Sequence, residues 1–153
     1  RDLFDELMNI INTNGIRPQH IRLELTESAI FDDFNMVINN MEKFNKSGIK
    51  FYLDDFGTGY SNLERIIGCP FYTIKFDKSL LYKSIDNSAV SDIVSHLTSV
   101  FKKQGFVLLI EGVENDEQAD YSINKGFDYI QGYKYAKPQP VIKLREYFNK
   151  ATA

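Results

Sequence analysis

The chain contains few of the residues that build disulfide frameworks and zinc sites. Among its 153 residues, cysteine occurs once, at Cys69, and histidine twice, at His20 and His96. One thiol forms no intramolecular disulfide, and a zinc site built from Cys and His needs more ligands than these. A metal would therefore bind to oxygen ligands, which points to Mg²⁺ or Mn²⁺. We interpret Cys69 as a buried, inert thiol and both histidines as structural residues.

Long apolar runs and an excess of positive charge are also absent from the sequence. The longest apolar run, Phe106 to Ile110, has five residues, whereas a membrane-spanning helix needs about 20. The formal net charge of −3 argues against a general nucleic-acid binder, which normally has a basic face. No basic segment followed by an apolar stretch begins the chain. We therefore expect a cytoplasmic protein with no membrane segment in this chain and no DNA partner.

Strand-like and helix-like segments alternate along the chain. A hydrophobic content of 43% is enough for one domain with a core. Apolar residues predict five strands, over 21–25, 49–55, 73–77, 107–112 and 129–133. Helical spacing predicts helices over 3–11, 34–47, 61–67, 89–101 and 141–148 and one beginning at Asn115, with Ser61 and Glu64 as a capping box. This alternation predicts an α/β fold with a parallel sheet, either doubly wound or closed into a barrel.

One polar side chain lies in or at the end of each predicted strand. These residues are Glu24, Asp54, Lys75, Glu111 and Gln131. Each one alone has an ordinary explanation, such as an exposed strand residue or a turn. Their occurrence on five successive strands is harder to explain by chance, and the side chains converge only if the sheet curls around them. The pattern favours a barrel with an active site at the carboxyl ends of its strands.

The acids near the lysine suggest a metal site. Four carboxylates, those of Glu24, Asp54, Asp55 and Glu111, suit one or two hard divalent cations. Two such cations activate a water and neutralise a phosphoryl group in an in-line displacement, and they relieve the repulsion between the adjacent aspartates. The Gly-Thr-Gly segment at 57–59 is typical of a mobile loop beside such a site.

Five motifs occur in order along the chain. They are LELTES (23–28), DDFGTGYSNL (54–63), TIKFDKSL (73–80), IEGVEN (110–115) and GFDYIQGY (126–133), followed by Lys137-Pro138. Together they resemble the motifs of the EAL-domain phosphodiesterases, which hydrolyse the bacterial second messenger cyclic di-GMP. The resemblance covers essentially the whole chain. It implies a modified TIM (β/α)8 barrel and a hydrolase of bacterial signal transduction.

The resemblance implies a role for each acid and for the lysine. Glu24 and Asp54 would bind one divalent cation, Mg²⁺ or Mn²⁺, and Asp54 and Asp55 would bind the second. Lys75 would orient the hydrolytic water or a phosphate of the substrate. Glu111 would act as a general base or through a metal-bound water.

Further roles and partners follow from the same resemblance. Gln131 would assist substrate binding through a water, and Glu27 would anchor the loop that begins at Gly57. The family associates this loop with dimerisation, so we expect a homodimer. A GGDEF or sensor domain elsewhere in the same protein is also expected. Tyr133 lies near enough to the end of its predicted strand to contact a base.

The sequence departs from the family pattern in its upstream motifs. Glu-Ala-Leu, which names the family, occurs nowhere in the chain, and neither does the strand that supplies a metal-binding Asn. The chain begins at Arg1, within a helical pattern. We expect residues 1–153 to be an EAL domain fragment, an incomplete barrel without its first strands that hydrolyses poorly by itself. Such a barrel has unpaired edges, so it belongs to an intact domain or pairs with a second copy. The smaller departures, at Tyr72, Ile110 and Asn62, involve no implied ligand.

Three functions are compatible with this sequence. The leading hypothesis is metal-dependent hydrolysis of cyclic di-GMP to linear pGpG, because all the downstream acids are present. The alternatives are a catalytically inactive EAL domain that acts as a cyclic di-GMP receptor, and a protein-interaction module. Turnover separates the enzyme from the receptor, and nucleotide affinity separates the receptor from the interaction module.

Overall fold

Five parallel strands form a sheet in the computed structural model, which describes residues 2–30, 34–59 and 62–145. The strands are β1 (Arg22–Thr26), β2 (Lys50–Phe56), β3 (Thr73–Phe76), β4 (Val107–Ile110) and β5 (Tyr129–Ile130). They lie in sequence order, and each is parallel to the next. In a doubly wound sheet the strand order reverses at a switch point, whereas in the wall of a barrel each new strand is added on the same side of the one before it. The order is that of a barrel wall, and the predicted α/β fold with a parallel sheet is confirmed.

Helices precede and connect the strands. Helix α1 (Leu3–Thr13) comes before the sheet. The other helices are α2 (Phe34–Ser47), α3 (Leu63–Gly68), α4 (Lys78–Asp86), α5 (Ser88–Lys103) and α6 (Asp116–Asn124), with short 3₁₀ helices at Pro18–His20 and Glu27–Ile30. Residues 141–145 are also helical. Within the described ranges, no helix has the length and apolar character that crossing a membrane requires.

The core lies between the helices and one face of the sheet. Leu53, Ile74 and Phe76 are fully buried on this face. The ring of Phe76 packs edge to face against Phe56 and Phe127, with centroids 4.8 and 4.9 Å apart. Side chains alternate between the two faces of a strand, so the polar residues between these apolar ones lie on the opposite face of the sheet. The apolar core thereby fixes which side chains face the inside of the barrel wall.

Helix α4 is an element that the sequence patterns do not predict. Strand β3 ends at Phe76. Asp77, predicted as the last residue of this strand, caps the helix instead. Its side chain accepts a hydrogen bond from the backbone nitrogen of Ser79, at 2.9 Å. The helix has only nine residues, too few for a clear hydrophobic period. The element therefore depends on its cap and on packing more than on a pattern.

Several predicted boundaries also differ from the structure or extend past its described residues, and the strand predicted over 107–112 ends at Ile110. The last strand is shorter than predicted because the chain turns at Gly132, whose carbonyl accepts from the nitrogen of Tyr135 at 3.1 Å. Helix α3 begins after Asn62, whose side chain accepts from the nitrogen of Arg65 at 3.3 Å. The predicted capping residue Ser61 lies outside the described residues, as does the part of the last predicted helix after residue 145.

Asp77 gives the fold a dependence on acidic pH. Burial raises the pKa of Asp77, but hydrogen bonds from Ser79 and Lys78 outweigh it and hold the pKa below its ordinary value of 3.8. A carboxyl with a lowered pKa stabilises the fold fully above its unfolded pKa and loses that contribution as the pH falls through its folded value. In urea unfolding at pH 7, Asp77→Ala should lose about 1 kcal/mol, and the loss should shrink below about pH 4. Asp77→Asn, which keeps a cap without the charge, is the control. An equal loss for Asp77→Ala at pH 3 and pH 7 would contradict this account.

Candidate active site

The ammonium of Lys75 is the centre of the site. Its side chain, on the middle strand β3, is only 8% exposed. The Nζ atom lies 2.7 Å from Asp54 Oδ1 on β2, 2.9 Å from Glu111 Oε1 directly after β4, and 3.0 Å from Glu24 Oε1 on β1. An ammonium has three N–H donors, so each carboxylate can accept one of them. The structure therefore brings together four of the five polar residues that the strand pattern singles out.

The three acids keep Lys75 charged. Burial alone lowers the pKa of Lys75, but its hydrogen bonds to Asp54, Glu111 and Glu24 raise that pKa well above the ordinary value of 10.5. Near neutral pH the side chain is a fixed donor with a positive charge, and it cannot act as a general base. Three carboxylates around one ammonium leave an excess of negative charge. Such an excess favours a further cation close to the site.

A β-bulge places two adjacent aspartates beside Lys75. Leu53 pairs with Ile74, and Phe56 pairs with Phe76, so two residues of β2 stand opposite one residue of β3. Those two residues are Asp54 and Asp55, and the opposing residue is Lys75. Asp55 has a left-handed backbone, with φ 57°, which aspartate tolerates better than most residues. The bulge breaks the strict alternation of side chains at the point where the acids are needed.

The loops after β4 and β5 complete the site with a cavity of about 440 Å³. Asp55, Glu111 and Gln131 all line this cavity. Gln131, the fifth polar residue of the strand pattern, therefore lies beside the acids but does not contact Lys75 as Glu111 does. The two loops are held tightly together at Gly132, where a Cβ atom would lie 2.0 Å from the carbonyl oxygen of Val113. Only glycine permits this approach. It fixes the position of Gln131 relative to Glu111.

Glu27 lies close to the glycine segment that follows β2. The residue is buried, at 6% exposure, in the 3₁₀ helix after β1. A Cβ atom on Gly59 would lie 4.0 Å from Glu27 Oε1. The segment itself turns at Asp55, whose carbonyl accepts from the nitrogen and hydroxyl of Thr58 at 3.2 and 3.0 Å. This proximity is compatible with the loop-anchoring role implied for Glu27, which stays a prediction, as does movement of the loop.

The donor chemistry of the site fits a hard divalent cation. All the candidate ligands are carboxylate oxygens, and acids from three segments already converge on one positive group. In the ranges that the structure describes, no three Asp, Glu, His or Cys side chains surround a common ion position. The centre of the three converging acids is occupied by the ammonium of Lys75. The assignment of Glu24, Asp54 and Asp55 as metal ligands stays a prediction.

Sequence patterns did not single out two residues of the cavity wall. Lys78 and Tyr82 both belong to α4 and reach the cavity together with Asp77. Their position follows from the unpredicted helix, which starts three residues after Lys75. The capping aspartate was the one available signal for that helix. Tyr133, suggested as a base contact, also lines the cavity.

The residues interpreted as structural lie outside this cavity. Cys69 is buried, and burial raises the pKa of its thiol to about 11, which keeps it protonated and inert. His20 and His96 are exposed, and Nδ1 of His96 lies 2.7 Å from the carbonyl oxygen of Asp92 in its own helix. None of the three is near the acids in the wall of the cavity.

Comparison with known proteins identifies the family. The sequence profile of the EAL domain matches residues 1–138. The chain belongs to the EAL domain family. The cyclic di-GMP phosphodiesterase PdeL of Escherichia coli strain K12 is 34% identical to it over 150 residues, a match that covers 95% of this chain and 41% of PdeL. The chain spans less than half the length of each of the first curated relatives that it matches.

Solved EAL structures share the fold of the chain. The PaMucR phosphodiesterase in complex with cyclic di-GMP has a TM-score of 0.86 at 28% identity, over 93% of this chain and 57% of that one. The manganese and cyclic di-GMP complex of Klebsiella pneumoniae BlrP1 has a TM-score of 0.81 at 26% identity, over 88% of this chain and 34% of BlrP1. BlrP1 was also solved with calcium. These similarities confirm the predicted barrel-type fold of the EAL domain.

Proposed function

We propose that the protein hydrolyses cyclic di-GMP to linear pGpG in a reaction that needs divalent metal ions. The observation that carries this proposal is the convergence of Glu24, Asp54 and Glu111 on the buried ammonium of Lys75. A scaffold has no physical need to gather three acids at the carboxyl ends of its strands. Membership of the EAL family supports the same activity, since PdeL carries the name of a cyclic di-GMP phosphodiesterase.

The acids of the site would hold the metal ions. Glu24 and Asp54 would bind one cation, and Asp54 and Asp55 would bind the second. When bound, divalent cations lower the pKa of a coordinated water and neutralise charge on the phosphoryl group. Manganese and calcium in the BlrP1 structures support a metal-dependent chemistry without distinguishing Mg²⁺ from Mn²⁺.

Lys75 and Glu111 would act on the substrate and on the attacking water. The ammonium of Lys75 would donate to a phosphate oxygen or to the water, which requires one of its three carboxylate partners to release a hydrogen bond. Glu111 would accept a proton from the water, directly or through another water. Gln131, on the cavity wall, would hold the substrate through a water.

The reaction opens one of the two phosphodiester bonds of the cyclic dinucleotide. The oxygen of water forms a new bond to phosphorus, and the bond from phosphorus to the ribose 3′ oxygen breaks. The water gives up one proton, and the leaving 3′ oxygen takes up a proton to become a hydroxyl. The product pGpG therefore has a 5′-phosphate at one end and a free 3′-hydroxyl at the other.

One observation favours a second function, that of a cyclic di-GMP receptor without turnover. Lys75 uses all three donors on protein carboxylates, so none of them is directed at a substrate phosphate or at an attacking water. A site that stays in this state could bind a nucleotide without hydrolysing it.

A homodimer, a GGDEF or sensor domain in the same protein and a cytoplasmic location also stay predictions.

Removal and return of metal tests the proposed function. The full-length protein is treated with chelator and assayed for pGpG with no added metal, with Mg²⁺ and with Mn²⁺. We expect no turnover without metal and recovered turnover with either cation. Turnover that persists in excess chelator would contradict the metal-dependent mechanism. Calorimetric binding of cyclic di-GMP in Ca²⁺ without turnover in Mn²⁺ would show a receptor instead.

A further inference from the structure

Helix α4 contacts both loops that carry catalytic acids. It begins three residues after Lys75, and the nitrogen of its capping residue Asp77 donates to the carbonyl oxygen of Phe56 at 3.1 Å. On the side of β2, a Cβ atom on Gly57 would lie 2.0 Å from Cδ1 of Leu80, so this glycine packs directly on the helix. The short helix that the sequence did not reveal thus supports the segment next to Asp54 and Asp55.

The same helix supports the loop of Glu111 from the other side. Gly112 has a left-handed backbone, with φ 74°, and a Cβ atom there would lie 2.3 Å from Cβ of Lys78. The hydroxyl of Tyr82 donates a hydrogen bond to the carbonyl oxygen of Gly112, at 3.1 Å. Glu111 is therefore followed by a residue that α4 holds in two ways, by packing against Lys78 and by the hydrogen bond from Tyr82.

Tyr82 is suited to control the direction of the Glu111 side chain. Its hydroxyl lies in the wall of the cavity that Asp55, Glu111 and Gln131 share, and its ring packs against the core. A tyrosine has few rotatable bonds, so a hydroxyl on a packed ring is a rigid donor. The Glu111 carboxylate lies 2.9 Å from Lys75 Nζ, and Tyr82 holds the backbone one residue further along the chain, at the carbonyl of Gly112.

We propose that Tyr82 is a positioning residue: its hydroxyl fixes the Gly112–Val113 peptide, which holds the backbone after Glu111 in place and so aims the Glu111 carboxylate at Lys75 and the cavity. The inference rests on the proposed function for its kinetic consequence and on the structure alone for the geometry. Tyr82 acts through the backbone of Gly112 and takes no part in bond making. Its loss should lower the rate of the chemical step more than the binding of cyclic di-GMP.

The test compares Tyr82→Phe with Tyr121→Phe in the full-length protein. The control tyrosine is also partly buried and also donates one hydrogen bond, to Ser91 Oγ at 3.2 Å, away from the cavity. Both variants lose one hydroxyl, so a merely structural effect should be similar in the two. We expect Tyr82→Phe to lower kcat about tenfold with KM changed less than about twofold, and Tyr121→Phe to change neither. Equal effects in both variants, or a raised KM with unchanged kcat for Tyr82→Phe, would overturn the proposal.

A second readout is independent of turnover. In protein with ¹³C-labelled glutamate carboxyl groups, Glu111→Gln identifies the signal of Glu111. We expect that signal to move in Tyr82→Phe and to stay in place in Tyr121→Phe. An unmoved signal in Tyr82→Phe would overturn the positioning role. If wild-type protein shows no hydrolysis, the proposed function fails, and the NMR comparison alone decides the inference about Tyr82.

Discussion

Replacing Asp54 by asparagine is expected to reduce hydrolysis of cyclic di-GMP by about a thousandfold. The substitution removes a negative charge from the residue proposed to bridge both metal ions and from the shortest ion pair of Lys75, at 2.7 Å. Metal ions supply several kcal/mol of transition-state stabilisation, and each 1.4 kcal/mol is about a factor of ten in rate. The side chain keeps its shape, and Lys75 keeps two carboxylate partners. We therefore expect the fold to survive, as measured by circular dichroism alongside initial rates of pGpG formation.

A surface aspartate provides the matched control for this prediction. Asp116, in the first turn of α6, pairs with Lys134, and the side chain of Asp116 is almost fully exposed. Asp116→Asn removes the same charge at a residue that does not line the cavity, and the rate of hydrolysis should not change. If Asp54→Asn hydrolyses the dinucleotide as fast as Asp116→Asn does, Asp54 is not a ligand that the reaction needs.

Replacing Lys75 by methionine should affect both stability and activity. Methionine keeps most of the buried volume but leaves three acids without their shared cation. Removing one partner of a fully buried ion pair costs about 3–5 kcal/mol. The partner acids are 22–47% exposed, so solvent screens part of this cost and we expect a loss of roughly 2 kcal/mol. Hydrolysis should fall at least about a hundredfold, because a positive group aimed at the phosphoryl oxygens is lost.

Lys102→Met is the control for the stability effect. Lys102 pairs with Asp128 at 2.9 Å, but both side chains are more than a third exposed. An exposed pair of this kind contributes less than about 1 kcal/mol. Urea unfolding of both variants should therefore show a much larger loss for Lys75→Met. Equal losses would mean that water solvates the acids around Lys75 well enough for them to need no cation. The ion pairs of Lys75 would then contribute no more to the free energy of unfolding than an exposed pair does.

The sequence predicts the polar residues of the site because strand alternation is a local property. Glu24, Asp54, Lys75 and Glu111 occur within or directly after strands that their apolar residues reveal, and parallel strands bring their carboxyl ends to one edge. The structure places these four residues in contact. The acid pair at 54–55 is also visible in the sequence, and the structure places Asp54 against Lys75 and Asp55 in the wall of the cavity, while their role as metal ligands stays a prediction.

Features that depend on pairing between distant segments were not predictable in the same way. The bulge at Asp54 and Asp55 appears only when β2 is aligned with β3, because an extra residue has no local pattern. Helix α4 is too short for a clear hydrophobic period, so the hydrogen bond from Tyr82 to Gly112 cannot be predicted from the sequence. The role of Gly132 depends on the backbone of Val113, which approaches it only in the folded chain.

Hydrolysis of cyclic di-GMP in ¹⁸O-labelled water shows whether this protein directs water to phosphorus. The full-length protein is incubated with the dinucleotide and Mn²⁺, and the product is analysed by mass spectrometry. The account predicts pGpG that carries a single ¹⁸O atom, in its 5′-phosphate, because water attacks phosphorus once per turnover. Cyclic di-GMP that is bound by the protein yet recovered intact and unlabelled would contradict it and would leave the acids around Lys75 as part of a receptor site.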